Sequence, residues 1–558
     1  MTIDAPGWGG ARFAAVRRVA AACAALLLLN ASLTFANVWP TLGVRFNRDL
    51  SAEAAAGVLL LVALHAWGRR PPRAAVGWLA LGWLALAGGR YVEVTVAALY
   101  GREVNLYWDL QHVPKVGAMF AFVADPWLKA GFVAGFVLVP LGLYLVARWA
   151  WGSIAAAAAR PVARRALGGA SVAVLLLGLA QWGGVEAPGG VRVAEPVSPA
   201  FARELGELAY EASGAGLRDL GPPPAVRSDL SRVAGADVFV IFLESYGAVS
   251  WDRDAFVEAL APARRRLEAT VAETGRRMAS AFVESTTFGG ESWLAHISLL
   301  SGTEVRDPAD NVRLMAQERD TLVKLFGRRG YRTVAIMPGL LVGWPEGAFY
   351  GFEDIYDHAR LDYRGPPFGW WNLNDQYSLA RVDAAEIAPV ARRPAFVFFA
   401  TITTHAPFVP APPYQPDWAR VLSDAPYDAE DLDRAWSAWA DWTNLGPSYV
   451  EALRYAFANV GGYLRLRADR DLVLVLVGDH QPPALVSGAG ASWEVPVHVV
   501  ASRDALIDRL VDGHGFAPGL APPRPAVARM DGLLPILLDA FGDDPAAGAE
   551  PSPRAGSR

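Results

Sequence analysis

The hydrophobic texture of the chain changes once, near residue 184. Before that point, long uninterrupted apolar stretches recur at 19–39 (VAAACAALLLLNASLTFANVW), 54–68, 74–89 with an extension to about 100, 130–150 (AGFVAGFVLVPLGLYLVARWA) and 166–183. A helix needs about 20 such residues to cross a hydrocarbon core of about 30 Å. The pattern predicts an α-helical membrane domain of about five spans over 1–183. Residues 184–235 are rich in Gly, Pro and charge, with one helical patch at 199–213, and read as a connector. From 236 the chain alternates short apolar runs with helical stretches. Strands are expected at 237–243 (DVFVIFL), 279–285, 332–337, 395–402 (AFVFFATI), 471–477 (DLVLVLV) and 495–501 (VPVHVVA). Helices are expected at 254–275, 292–300, 318–329, 447–468 and 530–541. Apolar runs without alternation suit strands buried on both faces, as in a parallel sheet covered by helices. Residues 236–542 therefore predict an α/β domain with a doubly wound, mostly parallel sheet. The Pro/Ala/Gly-rich tail 543–558 is expected to be disordered.

Orientation follows from the basic residues flanking the spans. Arg12, Arg17 and Arg18 precede the first; Arg69, Arg70 and Arg73 lie between the second and third; Arg148, Arg160, Arg164 and Arg165 lie between the fourth and fifth. With five spans these fall on one side, the N-terminus is inside, and everything after about 184 is outside. That describes a multi-pass protein of the inner (cell) membrane with an extracytoplasmic, periplasm-facing α/β domain. The second stretch is short, and Arg90 and Glu93 interrupt the third; a count of four reverses the orientation. A cleaved signal peptide is the rival reading of the first stretch, but four more apolar stretches follow and no small-residue cleavage site stands out. The segment YGREVNLYWDLQHVPK (100–115) suits an interfacial helix, with Tyr107 and Trp108 at headgroup depth, as well as it suits an ordinary loop.

Composition narrows the classes. Of 558 residues, 51 are Lys or Arg and 56 Asp or Glu, a net charge of −5, which excludes a generally basic nucleic-acid binder. Charged residues are only 19% and hydrophobic ones 53%, the reverse of a disordered chain's balance. The lone cysteine, Cys23, excludes an intrachain disulfide and any Cys-based zinc or iron–sulfur site.

The chemistry gathers after the strands, where open α/β sheets bind ligands. Glu244 follows 237–243; Thr403-Thr404-His405 follows 395–402; Gly478-Asp479-His480 follows 471–477. After 279–285 comes the loop TTFGGE and then Ser292, opening the helical run SWLAHISLLSG. Taken singly, these read as a solvated acid, turn residues, a structural histidine and an N-cap serine. Taken together they are complementary: Glu, Asp and His supply oxygen and nitrogen ligands for a divalent ion, and a hydroxyl beside such an ion becomes a nucleophile near neutral pH. A helix N-terminus at Ser292 also favours an anion such as phosphate.

The segments VFVIFLESYG, STTFGGESWLAHISLLSG, THAPF and VLVGDHQPP resemble the alkaline phosphatase/sulfatase superfamily. The layout is similar to its membrane-anchored branch of lipoteichoic acid synthase-like phosphoglycerol transferases and phosphoethanolamine transferases. The resemblance implies a sulfatase/alkaline phosphatase-type sheet, with Glu244, Ser292, Asp479 and His480 as metal ligands and Ser292 as nucleophile. Gly302, ten residues after Ser292, supports that register, with Thr286 and Thr287 as fallback nucleophiles. His405 matches the substrate-phosphate histidine, and Trp344 a tryptophan of the glycerol-phosphate pocket. The implied cofactor is one divalent metal ion, manganese by resemblance, although zinc and magnesium tolerate the same ligands. The implied partners are a phospholipid donor, a glycan or lipid acceptor and the membrane, with no nucleic acid. Leu294 and His296 stand where a true sulfatase has Pro or Ala and then Arg, which disfavours conversion of Ser292 to formylglycine. Met337 and Glu346 stand where the synthases have His and Arg, which leaves the donor headgroup open. The alternatives are a sulfatase-like phosphodiesterase or sulfuric ester hydrolase, and a membrane scaffold that has lost catalysis.

Overall fold

The computed structural model describes residues 8–38, 43–100, 104–185, 190–213, 219–341, 344, 346–488 and 490–543. The predicted tail, from 544 on, lies outside the described residues. The chain divides into two compact units near residue 216, inside the stretch read as a connector.

The first unit is helical: α1 (Trp8–Thr34), α2 (Ala52–Ala66), α3 (Arg73–Tyr100), α4 (Leu106–Val123), α5 (Pro126–Ala158), α6 (Pro161–Trp182) and α7 (Val197–Ala212). Five of them fall on the five apolar stretches. Among the described residues, four (α1, α3, α5 and α6) are long and apolar enough to cross a membrane. α2 has 15 residues, about 22 Å of helix, short of a hydrocarbon core of about 30 Å. The segment read as an interfacial helix or a loop is helical from Leu106 and continues through Pro114 to Val123. The helices meet through Ala25 and Leu29 of α1, Val58 and Leu61 of α2, and Ile154 of α5. The Trp83 and Trp151 rings pack edge to face at 5.2 Å, and Trp83 donates its indole N–H to Ser32 Oγ at 2.9 Å. α7 adds Val197 and Phe201 to this cluster.

The second unit is built on nine strands: β1 (Asp237–Leu243), β2 (Arg277–Glu284), β3 (Arg332–Met337), β4 (Asp354–Asp357), β5 (Ala395–Ala400), β6 (Leu472–Gly478), β7 (Glu494–Ala501), β8 (Ala517–Pro518) and β9 (Ala528–Arg529). Their order is β8-β2-β7-β6-β1-β5-β3-β4, with β9 beside β2. From β4 through β6 every neighbouring pair is parallel; β7 runs antiparallel between β6 and β2. β2 therefore points the same way as β6, and the sheet is mixed but mostly parallel. Its helices include α8 (Asp254–Glu273), α9 (Ser292–Ser301), α10 (Asp375–Val382), α11 (Ala429–Trp436), α12 (Gly446–Leu466) and α13 (Leu533–Phe541).

The unbroken apolar run of β1 is explained by cover on both faces. Val238, Val240 and Phe242 join one core cluster with Leu294 of α9 and Leu533 of α13. On the other face, Phe239 meets the Tyr463 ring of α12 at 5.5 Å. Each fully buried side chain of this size contributes about 1.5–3 kcal/mol. The same arrangement brings the ends of β1, β2, β5 and β6 to one edge.

Candidate active site

Each group at that edge is set by the strand behind it. Glu244 follows β1, and its backbone N–H donates to Thr401 Oγ1 at 3.0 Å. Ser245 then turns with φ 55°. At the end of the neighbouring β6, a Cβ on Gly478 would lie 2.0 Å from the Tyr246 carbonyl oxygen, so only glycine lets the two turns pass. Asp479 Oδ1 ties these turns together, accepting from the backbone N–H groups of Ser245 and His480, each at 2.7 Å. The loop after β2 is stitched to the same place: Ser285 Oγ donates to the Asp479 carbonyl at 2.5 Å, and the Gly289 N–H to the Gln481 carbonyl at 3.1 Å. Glu291, at φ 61°, then reverses the chain into α9, whose first residue is Ser292. A non-glycine residue held in the left-handed region is a cost that the surrounding contacts must sustain.

Ser292 Oγ donates to Glu244 Oε2 at 2.9 Å and lies 3.1 Å from His480 Nε2. His480 Nε2 is also 3.4 Å from Glu244 Oε1 and 3.7 Å from Asp479 Oδ2. The tautomer follows from the other nitrogen: Nδ1 lies 2.7 Å from the Gln481 carbonyl, which can only accept, so Nδ1 carries the hydrogen. The ligand atoms of Glu244, Asp479 and His480 all lie within 4.8 Å of one another, and all three residues are buried.

This convergence is electrostatically unbalanced. Burial and the adjacent Glu244 charge push the Asp479 carboxyl well above the usual carboxylate range. Burial would raise Glu244 too, but the His480 ring beside it outweighs burial and holds its pKa well below the ordinary value. Burial would lower His480, yet Asp479 and Glu244 overcome it and push the imidazole up to about 9. Two buried carboxylates thus converge on one imidazole. The donor set fits a divalent cation, which would supply the charge the group lacks.

His405, after β5, donates Nδ1–H to the Ala406 carbonyl at 2.7 Å and meets the edge of the Trp371 ring at 5.1 Å. The loop beneath it is held by a residue the sequence reading missed. Asp375, in the first turn of α10, accepts from the backbone N–H groups of Ile402 at 2.8 Å and Thr403 at 3.0 Å. Trp370 reinforces the hold, donating its indole N–H to the Ala406 carbonyl at 2.7 Å. Burial pushes Asp375 up to about 6. Its partners lie 27 and 28 residues away, so no local pattern announces it.

The other expected residues fall elsewhere. Trp344 packs on Tyr350 at 5.1 Å and Phe352 at 6.5 Å, and no described contact joins it to Glu244, Asp479 or His480. Thr287 Oγ1 donates to the Gly290 carbonyl, and Thr286 Oγ1 is buried without a hydrogen-bond partner. His296, where a sulfatase has Arg, is wedged between the Phe242 and Phe398 rings at 4.4 and 5.4 Å. Burial pushes it down to about 3, so it is neutral.

Residues 271–499 match the family model described as Sulfatase. This stretch, less than half of the chain, carries Ser292, His405, Asp479 and His480. Solved structures similar to the chain include the integral membrane lipooligosaccharide phosphoethanolamine transferase A (EptA) of Neisseria meningitidis, at 12% identity and TM-score 0.44, covering 86% of each chain. The lipoteichoic acid synthase LtaP of Listeria monocytogenes is similar at 13% identity and TM-score 0.34, covering 58% of this chain and 78% of that one. The phosphoglycerol transferase GacH of Streptococcus pyogenes follows at 12% identity and TM-score 0.32, covering 62% and 91%. No curated protein matches the chain.

Proposed function

We propose that the protein is a membrane-anchored, metal-dependent transferase of the superfamily's lipoteichoic acid synthase-like and phosphoethanolamine transferase-like branch. It would move a phospho-headgroup, phosphoglycerol or phosphoethanolamine, from a phospholipid to a glycan or lipid of the cell envelope. The observation that supports this reading is Ser292 Oγ sharing one buried group with Glu244, Asp479 and His480. These four residues would hold the cation, manganese by family resemblance. When bound, it lowers the pKa of a neighbouring hydroxyl and offsets the charge of a phosphodiester.

Ser292 Oγ would attack phosphorus, giving up its proton toward Glu244 Oε2. The Oγ–P bond forms as the bond from phosphorus to the diacylglycerol oxygen breaks. His405 Nε2 is suited to hold a phosphate oxygen or to protonate that leaving oxygen. The N-terminus of α9 favours the charge now covalently placed on its first residue. An acceptor hydroxyl then takes the group from phospho-Ser292, which predicts ping-pong kinetics. An extracytoplasmic site on the inner membrane is part of the proposal; it requires α2 to count as a span. Mass spectrometry of the Ser292 peptide after incubation with mixed phospholipids tests the reading. A headgroup adduct is expected in wild type and absent from Ser292→Ala; no adduct in wild type would reject it.

A further inference from the structure

A groove of about 570 Å³ lies between α3 and α5, within the first unit, and the proposed chemistry makes no use of it. Its volume falls inside the range of about 300–1,000 Å³ for ligand sites. Arg73 stands one turn from Gly77 on α3, and Arg148 one turn from Tyr144 on α5. A Cβ on Gly77 would lie 3.2 Å from the Tyr144 hydroxyl, so the tyrosine is fitted against α3 there. Both guanidiniums line the one groove. Apart from them and the Tyr144 hydroxyl the lining is apolar, and it is open: Trp78 is 71% exposed, Leu141 50% and Leu81 47%.

Neither Arg73 nor Arg148 has a hydrogen bond or an ion pair among the described residues. Other arginines of the same unit do. Arg90, also on α3, pairs with Glu93 at 3.0 Å, and Arg164 on α6 donates to the His65 carbonyl at 3.4 Å. Both α3 and α5 are long and apolar enough to cross a membrane, and a guanidinium on such a helix is costly without a counter-charge. The lining selects what supplies it. Two unmatched guanidiniums call for an anion, and their forked N–H groups suit phosphate oxygens. The open apolar wall calls for an acyl chain. An anionic phospholipid carries both on one molecule. Free phosphate would leave the wall bare, and a zwitterionic lipid would bring its own cation beside the arginines. A second copy of the chain would have to bring an acid.

We infer that the groove between α3 and α5 holds a resident anionic phospholipid, its phosphate at Arg73 and Arg148 and an acyl chain along Trp78, Leu81 and Leu141. On the five-span reading these arginines mark the cytoplasmic side, so this lipid is not the donor of the proposed transfer. The test takes the full chain, stripped of lipid in a neutral maltoside detergent. It is titrated with dioleoyl phosphatidylglycerol and separately with dioleoyl phosphatidylcholine, and native mass spectrometry counts the lipids bound. The anionic lipid should bind about 25-fold more tightly, about fivefold for each arginine. Arg73→Gln alone should lose about fivefold, and Arg73→Gln with Arg148→Gln should erase the preference. Leu81→Trp, which fills the apolar wall and keeps both charges, should weaken binding too, so the test does not depend on the arginine variants folding. Arg160→Gln, which removes an exposed charge outside the groove, should change nothing. The inference falls if the two lipids bind alike, or if the double arginine variant and Leu81→Trp both bind as wild type does. It falls equally if the stripped chain has the mass of a dimer and takes up no lipid. Loss of binding on chelation would also overturn it, since the lipid counted would then be the donor. A missing Ser292 adduct would overturn the transferase reading and leave this titration standing.

Discussion

Two buried histidines, one just past β6 and one within the adjacent β7, have opposite fates. His480 lies two residues past β6 and His498 lies within β7, and each is 1% exposed. Both ring nitrogens of His498 are matched. Trp251 donates to Tyr246 Oη at 3.1 Å, and Tyr246 Oη donates to His498 Nε2 at 3.1 Å. His498 Nδ1 donates to Ser280 Oγ at 2.6 Å, and Ser280 Oγ passes its own hydrogen to the Gly519 carbonyl at 2.6 Å. With no anion in that chain, burial, aided by the Arg264 charge, pushes His498 down to about 3. His480, equally deep, is pushed up to about 9 by Asp479 and Glu244. Depth is the same; the sign of the neighbours differs. The closed neutral relay is architecture, and the group with unmatched charge is where a ligand belongs.

The comparison can be broken at several points. Ser292→Ala should lower headgroup transfer by about 10⁴-fold or more, the scale on which nucleophile loss is measured; radiolabelled lipid assays at high enzyme concentration would read it. Chelation should stop wild-type turnover, and metal return should restore it. Asp479→Asn should fail to recover and should purify without stoichiometric metal, whereas a fully loaded Asp479→Asn protein would remove Asp479 from the ligand set. Asp375→Asn should keep its metal but lose about tenfold in kcat, because one of two N–H groups under the His405 loop loses a carboxylate. Metal analysis beside steady-state kinetics separates that from simple misfolding.

A further effect concerns pH. The His498 pKa is about 3 folded and about 6.5 in an unfolded chain. Between those values the unfolded state binds the extra proton, so stability is complete above about pH 6.5 and is lost as pH falls toward 3. The slope approaches about 1.4 kcal/mol per pH unit for one proton. Thermal unfolding of wild type from pH 7 to 4 should show it, and His498→Gln should flatten it; identical slopes would place the acid sensitivity elsewhere.

What was legible in the sequence follows the same division. The central strands could be read because cover on both faces demands unbroken apolar runs, as in DVFVIFL. β4 could not: it is four residues long, with Asp354 and Asp357 at its ends. The reversed direction of β7 left no mark, since a strand buried on both faces looks alike either way. Glu244, Ser292, Asp479 and His480 were legible because chemistry-bearing residues directly after strands are few. Asp375 was not, because its meaning lies in backbone N–H groups on a distant loop. Trp344 is seen packed on Tyr350 and Phe352.

The stitches from Ser285 to Asp479 and from Gly289 to Gln481 make the loop before Ser292 and the Asp479–His480 turn one mechanical piece. Neither can fray alone. Amide exchange at Gly289 and at His480 should share a single opening event, so Ser292 is never presented without Asp479 and His480.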